Sequence, residues 1–133
     1  MRVLSSVLRL ATLSLGLLFA AKALAADEKQ LIDSINDYRS QVQRCAGEVS
    51  SELPPLAGDP RLALSATSIG NLQQAMVAAN YPMKNVQAIS LSGPRDAASA
   101  MKAIQESFCQ IVLDPQFVDI GVSRQDREWR IVL

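Results

Sequence analysis

Apolar residues recur along this chain at two different periods, and the switches between them fall at aspartate, glycine and proline. Leu31, Ile35, Tyr38 and Val42 lie at helical spacing and predict one buried stripe on a helix ending near Arg44. Asp27, with Gln30 three residues on, reads as the capping box that starts it. Cys45 comes just past its end, and residues 48–58, which include Pro54-Pro55, read as a loop. Asp59-Pro60 predicts a second helix start, because the carboxylate can cap while proline supplies the right φ at the first helical position. Leu62, Ala66, Ile69, Leu72 or Gln73, Met76 and Ala79 then carry an apolar face towards Tyr81-Pro82. Gly70 sits inside this run, weakens it by about 1 kcal/mol relative to alanine, and marks either a close contact or a break.

Residues 86–91 read as a strand, after which Ser92-Gly93-Pro94 opens a third helix with Ala97, Met101, Ile104 and Phe108 on one face. Val118, Ile120 and Val122 alternate with Asp119, Gly121 and Ser123, the period of a half-buried strand. Residues 123–127 can turn, and Trp129, Ile131 and Leu133 alternate in a final strand. The order helix, helix, strand, helix, hairpin predicts one α+β domain, without internal repeat or linker.

The N-terminus follows neither period. Arg2 begins a basic region, an apolar run extends from Leu10 to Ala21, and Ala23-Leu24-Ala25 is a small-x-small site. That combination predicts a signal peptide over residues 1–25, leaving 26–133 as the domain. The run is shorter than the roughly 20 apolar residues of a spanning helix. No cysteine follows the cleavage site to take a lipid, so the expected destination is the periplasm or the medium, with no integral membrane span after cleavage. The whole chain has 13 basic and 13 acidic residues. Arg2, Arg9 and Lys22 leave with the leader, so ten basic residues then face thirteen acidic ones and the net charge is −3. A mildly acidic domain with no basic stripe is not a nucleic-acid binder.

Export also bears on the two cysteines, Cys45 and Cys109. In an oxidising compartment two cysteines most simply pair. The chain contains no histidine, which removes Ser-His and Cys-His nucleophile pairs and histidine metal sites. Two cysteines alone do not complete a zinc shell, so no cofactor is expected. Ser99-Ala100-Met101-Lys102 matches a Ser-x-x-Lys pattern without the partner motifs that pattern requires. Asp33 and Asp37 are four apart on the first helix, off its apolar stripe, and read as a solvated face. Asn36 and Arg39, on the flank of that stripe, can tie down loops.

Several segments together resemble one family. Leu31-Ile32-Asp33-Ser34-Ile35-Asn36-Asp37-Tyr38-Arg39 is similar to the first helix of the CAP superfamily (cysteine-rich secretory proteins, antigen 5 and plant pathogenesis-related proteins), whose bacterial members open with an Asn-x-x-Arg helix. Leu53-Pro54-Pro55-Leu56 and Asp59-Pro60-Arg61-Leu62 resemble its loop into the second helix. The segment from Cys109 through Asp114-Pro115-Gln116-Phe117-Val118-Asp119-Ile120-Gly121-Val122 resembles the run from a His-Cys pair to an Ile-Gly-Val strand. Residues 129–133 resemble its last strand. The resemblance implies an α-β-α sandwich of CAP type, here reduced to about three helices and a small antiparallel sheet. Cys45 and Cys109 stand where some bacterial members carry cysteines, in keeping with a bridge between them.

The resemblance also implies a cavity lined by two histidines and two acidic residues that holds a divalent metal. Phe108 stands in place of one histidine, and about Ile69 in place of the other. Lys84 replaces a glutamate in Met83-Lys84-Asn85-Val86-Gln87, and Glu106 lies near the fourth position. The expectation is a degenerate cavity at Ile69, Lys84, Glu106 and Phe108 with no metal and no catalysis. The chain then reads as a non-catalytic binding or structural module of the cell envelope whose partner is an envelope protein or a lipid. Two alternatives stand beside it: a small apolar ligand in a groove at Phe108 and Ile69, or a hydrolase using Glu106 or Lys84.

Overall fold

The computed structural model describes residues 26–67, 72–82 and 85–133. The leader expected at 1–25 lies outside them, as do Ile69, Gly70 and Lys84. Helix α1 covers 26–39 and is followed by a small hairpin, β1 (Arg44–Cys45) with β2 (Glu48–Val49). Next come β3 (Ala57–Gly58), α2 (Pro60–Ala66), α3 (Leu72–Ala78) and β4 (Ala88–Ser92). The chain ends with α4 (Ala97–Ser107), α5 (Cys109–Val112), β5 (Asp119–Gln125) and β6 (Glu128–Val132).

The main sheet has the order β3-β5-β6-β4. β3 lies parallel to β5, and the other pairs are antiparallel. Alternation decides which layer each strand residue meets. Ile120 and Val122, Trp129 and Ile131, and Ile89 and Leu91 point to one face and are buried with Leu31 and Ile35 of α1 and Ala100, Met101 and Ile104 of α4. Val132, on the opposite face, packs with Leu62 and Ala66 of α2 and Met76 of α3. This is the expected α-β-α sandwich. Among the described residues it has five helices: the apolar run after Asp59 contributes both α2 and α3, and α5 follows α4 after one residue.

Gly121 shows why the α2 layer lies so close. A Cβ at this position would fall 2.2 Å from the Ala63 nitrogen and 2.3 Å from the Leu62 carbonyl carbon. Backbone cannot yield as a side-chain tip can, so only glycine allows α2 to lie against β5 here.

The α2 start is as expected: Asp59 caps, its carboxylate accepting from the Arg61 N–H at 2.8 Å, and proline follows. Three local expectations are corrected. Asp27 does not cap α1; it lies within the helix, and its carboxylate pairs with Arg124. The buried stripe of α1 stops at Arg39, because the helix ends there and Val42 is left 58% exposed. The cap of α4 is Asp96, whose carboxylate accepts from the Ser99 N–H at 2.8 Å, and not the Ser92-Gly93 turn.

Candidate functional site

The stretch after α4 is held by two devices, both rooted near the end of α1. The first is a disulfide between Cys45 and Cys109. The second is Arg39, which is 1% exposed. Its Nη1 donates to the carbonyls of Val112 at 2.8 Å and Asp114 at 3.2 Å, and its Nη2 to Phe117 at 3.4 Å. Nε and Nη2 both reach the Pro54 carbonyl, at 3.3 and 3.2 Å. The planar guanidinium offers five N–H groups in a fixed fork, which suits a cluster of carbonyls better than an ammonium would. Burial lowers the Arg39 pKa from its ordinary value, an effect that Asp114 opposes. Asn36, one turn earlier, accepts from the Leu56 N–H at 2.7 Å and donates to the Leu56 carbonyl at 3.1 Å. The loop-tying role read for Asn36 and Arg39 is therefore present.

Phe108 is the single residue between α4 and α5. Its N–H closes α4 on the Ile104 carbonyl at 2.8 Å, and its own carbonyl accepts from Ile111 at 3.1 Å. The ring is half-buried and packs against the larger core. Glu106 is exposed at the next-to-last position of α4, and its side chain makes no hydrogen bond or ion pair among the described residues. Ile69 and Lys84 lie outside those residues, so of the four positions of the expected cavity only Phe108 and Glu106 are described. Neither Phe108 nor Glu106 borders the grooves that follow. Asp33 pairs with Lys29 at 2.8 Å on an exposed face, as expected of a solvated side of the helix, and Ser99 and Lys102 are both exposed. Among the described residues no three His, Cys, Asp or Glu side chains come together as a metal site.

Two grooves border the main sheet and combine apolar with polar walls. The larger, about 580 Å³, is walled by Tyr81, Pro82, Phe117, Val118 and Leu133, with Asn85, Gln116 and Asp119 on its rim. Val118 is 65% exposed, contrary to its expected place in the strand, and so presents an isopropyl group to this groove. The Tyr81 hydroxyl donates to Asp119 Oδ2 at 2.6 Å. Arg61 lies over the Tyr81 ring, 4.8 Å from its centroid, and pairs with Asp59 at 2.8 Å. Burial first, and the bond to Asp119 second, push the Tyr81 pKa up to about 12. A phenol that titrates so high is neither base nor nucleophile near neutral pH, and its proton is already engaged. The chemistry on offer is an apolar wall with a fixed polar rim.

The second groove, about 410 Å³, lies beyond the C-terminal end of α2. Its floor is a cross-strand row, because the register sets Arg130 directly between Ser123 and Ser90. Gln125, Glu128 and Thr67 add polar groups beside the apolar Ala66 and Trp129. Sequence reading missed both grooves. Tyr81 and Asp119 are 38 positions apart, and no local spacing signals their bond.

No family model and no curated protein matches the sequence. Solved structures do. The architecture is similar to an extracellular protein containing an SCP domain from Bacillus anthracis, with a TM-score of 0.68 at 18% identity over 81% of this chain. It is also similar to a cysteine-rich secretory protein from Staphylococcus aureus, with a TM-score of 0.67 at 13% identity over the same share. The fold is that of an SCP, or CAP, domain. This chain spans 40% and 38% of those two proteins. Within the CAP fold, the described residues include no helix long and apolar enough to cross a membrane.

Proposed function

We propose that the chain is an exported, non-catalytic CAP-type module of the cell envelope that works by binding, and that the family's metal-binding cavity is lost in it. The observation that carries this reading is Phe108. At the position where the resemblance expects a histidine, an aromatic ring packs against the core, and the chain has no histidine with which to replace it. The Cys45–Cys109 bridge supports export to the periplasm or the medium, since disulfides persist in oxidising compartments. The signal-like leader supports the same destination. Glu106, one of the two residues on which the hydrolytic reading rests, is exposed and its side chain has no partner among the described residues, which favours the binding reading.

The second reading, a small apolar ligand, is favoured by the groove at Tyr81, Pro82, Phe117, Val118 and Leu133. It moves that ligand away from Phe108. Both readings are tested by recovering the tagged protein from envelope extract beside a Val118→Glu variant, which places a charge on the apolar wall. A protein partner retained by the wild type and lost from the variant is the expected result. A stoichiometric lipid found by mass spectrometry would transfer the assignment to the second reading, and a wild type that retains neither a protein nor a lipid would contradict both.

A further inference from the structure

Strand β4 is an edge of the main sheet and, among the described residues, pairs only with β6. In an antiparallel ladder, residues alternate between exchanging backbone hydrogen bonds with the neighbour and turning both groups the other way. Gln87 and Leu133 exchange both bonds, at 3.1 and 2.9 Å, and the Gly93 N–H donates to the Arg127 carbonyl at 2.9 Å. Stepping by two between those points, Ile89 and Leu91 face β6, so Ala88, Ser90 and Ser92 turn their N–H and C=O outward. Those groups have no partner among the described residues, and all three side chains are exposed. Sheet edges are usually guarded by charge, proline or a bulge. Here Ala88-Ile89-Ser90-Leu91-Ser92 is uncharged, the first proline is Pro94, and the register runs unbroken from Ala88↔Val132 to Ser92↔Glu128.

We propose that a second copy of this chain adds its β4 antiparallel to β4, about a two-fold axis through Ser90. The argument for a second copy is self-complementarity. With Ser90 opposite its own counterpart, Ala88 meets Ser92 and Ile89 meets Leu91 in both directions. All three outward-facing residues then fall in hydrogen-bonded pairs, and a shift of one residue would break every one of them. On the α2 side only small side chains meet at the seam, while Ile89 and Leu91 stay buried in their own protomer's core. No charged residue of β4 opposes the approach. The row Ser123–Arg130–Ser90 continues across the axis into its own two-fold image.

The test is sedimentation equilibrium of the purified, disulfide-bonded protein over a concentration series. Such a seam is smaller than the roughly 1,600 Å² of a standard stable interface, so a reversible, concentration-dependent dimer is expected. Ser90→Pro removes the outward N–H at the axis and spares the β4–β6 ladder, a placement proline tolerates on an edge. Ser90→Lys sets like charges opposite one another. Each is expected to raise the dimer Kd about tenfold or more with unchanged circular dichroism. Ser90→Cys provides an independent reading. Paired Cα atoms about 5.5 Å apart lie within disulfide reach, so oxidation yields a covalent dimer, whereas Val77→Cys on α3 yields none. A monomer at every concentration, a dimer indifferent to the Ser90 variants, or a monomer whose β4 edge instead takes an unrelated extended peptide would each overturn the proposal.

Discussion

Replacing Arg39 by alanine is expected to lower the unfolding free energy by about 3–5 kcal/mol, the range for removing one member of a buried charged network. Urea denaturation checks it as a fall in midpoint. The size follows from what the guanidinium holds. Pro54, Val112, Asp114 and Phe117 all direct carbonyls at it, and none belongs to a strand ladder that could take the oxygen over. Alanine leaves those acceptors without a donor in a site water does not readily reach. Arg39→Met restores volume but not donors, so it is expected to recover only a small part of the loss. Arg39→Lys keeps the charge but offers three donors from one point instead of a planar fork, and an intermediate loss is expected. Against a total of about 5–15 kcal/mol for a domain, the alanine variant stands near the limit of folding. A loss below about 1 kcal/mol would show that the carbonyls find other partners.

Removing the disulfide has an expected effect of similar size. Cys45 and Cys109 are 64 positions apart, and a loop of that length corresponds to about 4 kcal/mol in the chain-entropy model. The variant with both cysteines replaced by serine, and the wild type in strong reductant, are expected to lose the same amount in urea denaturation. The bridge and Arg39 also pin the same segment, residues 109–117, to the end of α1. Their losses are therefore expected to be non-additive in a double-mutant cycle, as for other residues that share one structural neighbourhood. An additive result would separate the two devices.

Much of the fold was legible because its signals are local. Asp59-Pro60 starts a helix by cap and φ alone, and the alternation through residues 120–122 and 129–133 assigns strand faces without any tertiary information. Arg39 was legible only as a polar residue on the flank of an apolar stripe; that it would be fully buried depends on four carbonyls brought from other parts of the chain. Asp27 shows the opposite failure. It is a good local cap, but Arg124, 97 positions away, takes its carboxylate in the folded chain. Val42 continues the helical period after the helix has stopped, so period alone placed it inside. Val118 fits the strand alternation, yet β5 begins one residue later and its side chain faces the Tyr81 groove. β3, two residues joined in parallel to β5, is too short to leave any period. The candidate site was least legible, because a groove made by Tyr81, Phe117 and Leu133 has no sequence spacing, and the expected cavity rested on resemblance and not on geometry.

If the CAP scaffold is kept here without its metal chemistry, as we propose, the purified, disulfide-bonded protein has no tight site for zinc. Calorimetric titration with zinc is then expected to give no stoichiometric binding, whereas one equivalent bound tightly would show that a metal site persists despite Phe108.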